Sequence, residues 1–475
     1  MAAKFYLTTT LPYVNADPHL GFAAEIVRAD AIARWRRLKG NEVFFNTGTD
    51  EHGLKIYRQA AAAGQDPQAY VDAYAAKFDD LKKALDLSYN SFTRTTDARH
   101  QAAAQAFWRR CAANGDIYKK TYQVKYCVGC ELEKTDSELV NGFCPLHPAK
   151  PLETINEENY FFRWSAYADK LLSFYDAHPD FIIPGHRLNE IRNFIKQGLK
   201  DFSISRLKKK MPWGVPVPDD QEQVMYVWFD ALVNYISCLG WPDDQEQFRR
   251  FWPGWQVAGK DNLRQQAAMW QAMLMSAGLP NSEQLLIFGF ITANGQKMSK
   301  SLGNTVDPFS LTAKYGTDAV RYYLLADLPA YEDADYTEEK FAARYMADLA
   351  NGLGNLAARV AALLEKDKAV LPLAARPDSE LSAGVDKALA KFQFDAALKA
   401  IWQKIAETDE YLSAQAPWKM PDPEQKKAVL AQSAQNILDI GFALRPFLPA
   451  SADKIIAQYG AGEIRKGEPL FPRLP

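Results

Sequence analysis

The segment from Lys4 to Gly53 constrains the fold more than any other stretch of the chain. Lys4 to Thr9 is a short β-rich run, closed by the turn Leu11-Pro12-Tyr13-Val14-Asn15. From Gly21 to Leu38, residues Ala24, Val27, Ala31, Ile32, Trp35 and Leu38 recur at helical spacing, and Gly40-Asn41 stops that helix. Val43-Phe44-Phe45 then reads as a buried strand ending in the loop Thr47-Gly48-Thr49-Asp50-Glu51-His52-Gly53. Strand, helix and strand in this order predict a parallel sheet that meets its ligands at the carboxyl ends of the strands.

Two short motifs then suggest the ligand. His19-Leu20-Gly21 lies where the first strand gives way to the helix, and Lys297-Met298-Ser299-Lys300-Ser301 lies on a polar loop between Gly295 and Gly303. A helix N-terminus and two lysines both offer positive potential, which suits a triphosphate whose outer phosphates must leave. Each motif is short, and either lysine alone reads as a solvated surface charge.

A chain of 475 residues exceeds one hydrophobic core, so several domains are expected. Near Tyr118 the texture changes: Tyr118, Tyr122, Val124 and Tyr126 recur at even positions, as in hairpins. This insertion runs to the proline-rich stretch Met211 to Pro218. The α/β pattern is expected to resume with Val224 to Phe229 and to close through Leu285 to Ile291. Beyond about Glu338 the pattern is helical. Leu349, Leu353, Leu356, Val360 and Leu363-Leu364 form one stripe, and further amphipathic segments cover Gly384 to Ala414 and Glu424 to Leu444, a helix bundle.

Inside the insertion, Cys127-x2-Cys130 and Cys144-x2-His147 have zinc-knuckle spacing. Four ligands leave no open position, so the ion is expected to be structural, and ligand softness favours zinc. These are three of only five cysteines; Cys111 and Cys238 read as small buried residues. The formal net charge of −2 argues against a nonspecific nucleic-acid coat but leaves room for a structured RNA on a local basic patch, for which Arg206-Leu207-Lys208-Lys209-Lys210 is one candidate and a solvated loop the alternative. No apolar run approaches a membrane span and the N-terminal residues carry no targeting pattern, so no membrane partner and a cytoplasmic location are expected.

Taken together, these motifs resemble the methionyl-tRNA synthetase family of class I aminoacyl-tRNA synthetases. Leu11 to Asn15, Pro18-His19-Leu20-Gly21, Thr47 to Gly53, the single knuckle, Val227-Trp228-Phe229-Asp230-Ala231, Gly259-Lys260-Asp261 and Lys297 to Ser301 carry the likeness. So do Gly316 to Tyr323, Gly354-Asn355-Leu356-Ala357-Ala358-Arg359 and Ala416-Pro417-Trp418 downstream. The resemblance implies an α/β Rossmann-type catalytic domain split by a zinc-knuckle insertion, followed by an all-α helical-bundle anticodon-binding domain. The expected boundaries are 1–116 and 224–325 for the two catalytic halves, 117–223 for the insertion, 326–345 for a linking, stem-contact region and 346–475 for the bundle.

The implied activity joins ATP and L-methionine to methionyl-adenylate and passes the methionyl group to tRNA(Met). By the resemblance, Lys300, Lys297 and His19 are catalytic. ATP is met by His19, Gly21, Phe22, Asp261, Lys297 and Lys300. Methionine is met by Leu11, Tyr13, Asp50, Trp228, Ala231 and Tyr235, with Asp50 on its ammonium group. Asn355, Arg359 and Trp418 face the anticodon. Zinc is bound by Cys127, Cys130, Cys144 and His147, and Mg²⁺ accompanies ATP. A monomer is expected, because no appended dimerisation domain follows the bundle.

The chain departs from the family pattern at two places. Phe22 stands where a second histidine is usual, and Gln265-Gln266 replace a Phe-His pair that borders the methionine pocket. These departures alone favour a noncatalytic tRNA-binding descendant. A synthetase for valine, isoleucine or leucine would need room for a large editing insertion, which Tyr118 to Pro218 scarcely leaves. The cysteinyl enzyme uses zinc in its active site, whereas this knuckle is closed.

Overall fold

Strands drawn from residues 4–288 assemble into one six-stranded sheet. Its order is Ser91–Arg94, Glu42–Thr49, Lys4–Thr8, Trp255–Gly259, Gln284–Phe288 and Ile182–Ile183, and every pairing in it is parallel. The computed structural model describes residues 3–474 apart from 131, 135–137 and 299–302, and describes 122–124, 132, 133, 155, 156 and 297 by their backbone alone. Lys4–Thr8 pairs with Glu42–Thr49 on one side and Trp255–Gly259 on the other. The chain therefore leaves two adjacent strand ends at Thr9 and Gly259, the place where an open parallel sheet binds ligands.

The described residues form two compact units. The first comprises 1–17, 42–80 and 89–288 and contains the whole parallel sheet. Its core is aromatic: Tyr6, Phe107, Trp164, Phe229, Tyr235, Trp241 and Trp270 are all buried in one cluster. The insertion forms a separate antiparallel sheet, with Ile117–Cys127 pairing along its length with Glu153–Phe162.

The stretch Val224 to Phe229 does not rejoin the parallel sheet. Asp220–Met225 is a strand of a small antiparallel sheet with Pro216–Val217 and Ser205–Leu207, and a helix begins at Val227. Tyr226 N–H donates to Ile204 O, which ties this turn to the insertion instead. After this turn the parallel sheet continues with Trp255–Gly259, and it also takes in Ile182–Ile183 from within the expected insertion. Arg206 is likewise not part of a surface patch. It is buried, donates to Ser203 Oγ and Ser205 O, and its guanidinium covers the rings of Tyr226 at 4.5 Å and Tyr126 at 5.3 Å.

The second unit comprises 18–41, 81–88 and 289–475. It holds the helix Leu20–Leu38, a short sheet in which Ile291–Ala293 lies between Gln296–Lys297 and Ala334–Tyr336, and the C-terminal helices. The expected single segment from Gly384 to Ala414 is two helices, Glu380–Leu389 and Phe394–Gln415. Phe392 between them has φ 55, a left-handed turn that breaks the helix. No helix among the described residues is long and apolar enough to cross a membrane.

Candidate active site and metal centre

In the first unit, the loop after Lys4–Thr8 is clasped to the loop after Glu42–Thr49. Val14 N–H donates to Asp50 O and Asp50 N–H to Pro12 O, at 3.1 and 3.0 Å, so Tyr13 and Asp50 lie side by side. Leu11 and Tyr13 are half-buried, while Asp50 is buried. The residues beside Asp50 are braced on both flanks. Glu51 is buried and accepts from Arg94 Nε and Nη2 at 2.7 and 2.9 Å. His52 Nδ1 lies 2.6 Å from one oxygen of Asp230, and His100 Nε2 lies 2.8 Å from the other. Burial alone would raise the Asp230 pKa, but the two imidazoles more than offset it and hold the carboxyl at about 2.

Asp230 sits on the helix Val227–Ala231, which also carries Trp228 and Ala231. His52 therefore binds the Asp50 loop to the Trp228 helix, and His100 binds the helix Ala98–Ala113 to the same carboxylate. Trp228, Tyr13 and Val128 each pack against one small buried cluster of Tyr126, Tyr226 and Val227, and the Trp228 indole Nε1 is buried with no hydrogen-bond partner among the described residues. Tyr235, on the next short helix, is buried; its ring meets Trp270 edge-on at 5.8 Å. Asp261 lies in the turn directly after the strand Trp255–Gly259. A side chain at Gly259 would bring Cβ to 2.8 Å from Asp261 Oδ1.

Gln265 and Gln266 follow on a π-helical turn, Arg264–Met269. Such turns widen a helix locally and recur at functional sites. Gln266 Nε2 donates to the Tyr235 hydroxyl at 2.6 Å. Gln265 Oε1 is buried without a partner among the described residues. Gln266, one of the two departures, thus reaches the tyrosine that the family resemblance places on the methionine side.

The knuckle residues converge. One ligand atom each from Cys127, Cys130, Cys144 and His147 lies within 4.8 Å of the others. Cys130 Sγ is 3.4 Å from Cys144 Sγ and 3.2 Å from His147 Nδ1, and Cys127 Sγ is 3.8 Å from that nitrogen. Three thiols and one imidazole at these spacings fit a closed tetrahedral zinc site. Gly129 makes room for it, since a Cβ there would fall 2.5 Å from the His147 ring.

In the second unit, His19 caps the helix Leu20–Leu38. Gly21 N–H donates to His19 Nδ1 at 3.1 Å, so a neutral ring carries its proton on Nε2, a donor suited to a phosphate oxygen. A Cβ on Gly21 would lie 2.9 Å from His19 Cε1, so any larger residue there makes the imidazole shift. Phe22 is half-buried on the first helical turn, and Leu20 N–H donates to Val306 O. Lys297 ends a tight hairpin whose turn, Asn294-Gly295, has φ of 53 and 72, as a two-residue turn of the primed type requires. Asp335 Oδ1 holds this hairpin, accepting from Thr292 Oγ1 at 2.6 Å and Gly295 N–H at 2.7 Å. Lys300 lies outside the described residues, and Lys297 is described by its backbone alone.

Asn355 opens the helix Asn355–Lys366, directly after a π-helical stretch, Tyr345–Gly354. Arg359, one turn on, lies over the Trp418 ring at 4.7 Å and is tethered by Asp409 at 3.1 Å. Trp418 is 44% exposed beside this guanidinium. Asp230, His52, His100, Asp335 and Asp409 were not singled out by the sequence. Asp230 and His52 do stand within motifs that were, but their pairing spans 178 residues of chain.

The chain matches the family model of tRNA synthetases class I (M) over residues 5–153 and 133–361. It is 44% identical to a methionine–tRNA ligase of Mesorhizobium japonicum, covering 95% of this chain and 90% of that one. It is 40% identical to a methionine–tRNA ligase of Caldanaerobacter subterraneus, covering 100% of this chain and 79% of that one. The solved Mycobacterium tuberculosis methionyl-tRNA synthetase in complex with methionyl-adenylate superposes with a TM-score of 0.90 at 38% identity, over 99% of this chain and all of that one. With likeness of this depth over nearly its whole length, the chain belongs to the methionine–tRNA ligases of class I.

Proposed function

We propose that this chain activates methionine with ATP, forming methionyl-adenylate and diphosphate, and then transfers the methionyl group to the 3′ end of tRNA(Met) in the cytoplasm. The observation that carries this reading is the end-to-end likeness to a solved relative that holds methionyl-adenylate. No protein nucleophile is required. The methionine carboxylate attacks the α-phosphate, and the protein supplies position and charge.

Asp50 holds the methionine ammonium group, and Leu11, Tyr13, Trp228, Ala231 and Tyr235 enclose the thioether, whose sulfur is favoured by aromatic walls. Asp261 meets the ribose hydroxyls. The Nε2–H of His19, at the positive end of its helix, donates to a phosphate oxygen, with Gly21 leaving space for adenine and Phe22 lying against it. Lys297 and Lys300 neutralise the departing diphosphate, and Mg²⁺ accompanies the triphosphate. Asn355, Arg359 and Trp418 read the anticodon by stacking and hydrogen bonds. The knuckle ion is zinc and structural. The chain is organised as two catalytic halves around the insertion, with a linking region and an anticodon-binding bundle after them.

Amino-acid-dependent ATP–diphosphate exchange tests the reading. Exchange with methionine and no other standard amino acid is expected; zinc-loaded, folded protein that gives none overturns it. Lys300→Ala is expected to lower adenylation turnover by about a hundredfold or more, with a small change in the methionine KM, because its contact forms in the transition state.

A further inference from the structure

Asparagine followed by glycine loses ammonia spontaneously more readily than other pairs, because glycine has no side chain to shield its nitrogen from the asparagine carboxamide. This chain has four such pairs, Asn114-Gly115, Asn141-Gly142, Asn294-Gly295 and Asn351-Gly352. Two are closed off by helices. Asn114 ends the helix Ala98–Ala113, with Gly115 N–H donating to Ala112 O at 2.9 Å, and Asn351-Gly352 lies inside the π-helical stretch Tyr345–Gly354. The other two form exposed two-residue turns of the same primed kind. Asn141 and Gly142 have φ of 51 and 80, between the bridged residues Val140 and Phe143. Asn294 and Gly295 have φ of 53 and 72, between the paired residues Ala293 and Gln296.

The two turns differ at the glycine nitrogen. Gly295 N–H donates to Asp335 Oδ1 at 2.7 Å and Asn294 N–H to Tyr336 O at 3.2 Å, so the tip is pinned to the strand Ala334–Tyr336. Gly142 N–H has no hydrogen-bond partner among the described residues. Attack on the carboxamide requires the glycine nitrogen to give up its proton. Beside Asp335 that proton is bound, and the amide anion would form next to a group of like charge, which disfavours it. The carboxylate stays ionised, its pKa lowered chiefly by the Thr292 hydrogen bond.

We propose that Asn294 is a site of spontaneous modification guarded by Asp335: while the carboxylate holds the Gly295 N–H the turn persists, and when that hold opens Asn294 is converted to isoaspartate and the lysine hairpin loses its register. In this step the Gly295 nitrogen gives its proton to solvent and bonds to Asn294 Cγ. The Cγ–Nδ2 bond breaks and ammonia leaves with a proton from solvent, giving a succinimide. Water then opens the ring at either carbonyl, to aspartate or isoaspartate. One water is consumed and one ammonia released, with no change of oxidation state. Isoaspartate places one more carbon in the main chain, which shifts Lys297 from its pairing with Thr292. The chemistry at Asn294 stands on the geometry alone. Its cost to turnover rests on the function proposed above, in which Lys297 meets the diphosphate.

The test ages folded, zinc-loaded protein at neutral pH and follows isoaspartate at both turns by peptide mass spectrometry and an isoaspartate methyltransferase assay. In the wild type, isoaspartate is expected at position 294 about ten- to a hundredfold more slowly than at position 141, the ratio that one hydrogen bond to a charged group sustains. In urea the two rates are expected to become alike. Asp335→Ala is expected to raise the rate at position 294 to that at position 141 and to leave the latter unchanged. The comparison within the wild type stands even if this variant does not fold. Aged wild type is expected to lose ATP–diphosphate exchange in step with isoaspartate at position 294, with the methionine KM unchanged. Asn294→Gly, which keeps the turn and has no carboxamide, is expected to keep its activity over the same period. Equal rates at the two turns of the folded wild type, or an Asp335→Ala rate no higher than wild type, overturns the guard. Full turnover in protein converted at position 294 overturns the consequence. Absence of exchange in fresh wild type overturns the function itself and leaves the two rates to decide the guard.

Discussion

At the scale of single residues, the site depends on small clearances and on buried charges held by direct partners. Gly21 shows the first. The His19 ring that accepts from the Gly21 N–H lies where a Cβ on residue 21 would approach it to 2.9 Å and push it aside. Gly21→Ala is therefore expected to swing the imidazole out of the cap and raise the ATP KM severalfold, without altering methionine binding; tryptophan-fluorescence titration with each substrate separates the two. Asp230 shows the second. Its folded pKa of about 2 lies below its ordinary value, so the stability it contributes is fully present above about pH 4 and is lost as pH falls through about 2. Asp230→Asn is expected to cost about 2 kcal/mol at neutral pH, a deficit that shrinks with acidification over that window. Urea melts of both proteins at a series of pH values measure it, and a deficit independent of pH would contradict the assignment.

At the scale of elements, the knuckle and the lysine hairpin are each closed by a residue that is not itself a ligand. Gly129 admits the His147 ring, since a Cβ would approach it to 2.5 Å. Gly129→Ala leaves all four donors in the sequence but is expected to lower zinc affinity by about ten- to a hundredfold, the size of effect seen when groups supporting metal ligands are lost. Competition with a chromogenic chelator gives the number, and Cys127→Ser provides the limit of full loss. In the hairpin, the Asp335 carboxylate holds both Thr292 and the turn residue Gly295. Its pKa is lowered, chiefly by the Thr292 hydrogen bond. Asp335→Ala frees both and is expected to slow adenylation while the methionine KM holds, in rapid-quench measurements.

At the scale of the whole molecule, chain segments far apart in sequence are fastened by buried polar groups. Within the second unit, Arg321 is fully buried and pairs with Asp30 at 2.8 Å. It also donates to Leu85 O at 2.9 Å and Phe447 O at 2.7 Å. One guanidinium thus ties the helix after His19, the segment 81–88 and the C-terminal helices together. Burial alone would raise the Asp30 pKa, but Arg321 and Arg34 bring it below the ordinary value. Arg321→Met leaves Asp30 without its closest buried partner and is expected to cost about 3–5 kcal/mol. Calorimetry should show a lower melting transition, with urea unfolding giving the free energy.

Much of this molecule was legible in the chain itself. The strand-helix-strand spacing of Lys4 to Gly53, the Cys-x2-Cys and Cys-x2-His pairs and the apolar stripes after Glu338 depend on local geometry, where residue spacing alone decides which side chains share a face. The parallel pairing of the sheet and the convergence of the four knuckle ligands follow from it. Pairings across long sequence gaps were not legible. Val224 reads as a continuing strand, but Ile204 and Val215 capture its neighbours by hydrogen bonds. Arg206 reads as one charge in a basic run, yet two tyrosines enclose it. Gln265-Gln266 reads as a lost motif until the fold brings Gln256, Gln271 and Ser282 alongside. A hydrogen bond has direction and a short reach, so its partner is chosen by the folded backbone and leaves no periodic trace in the sequence.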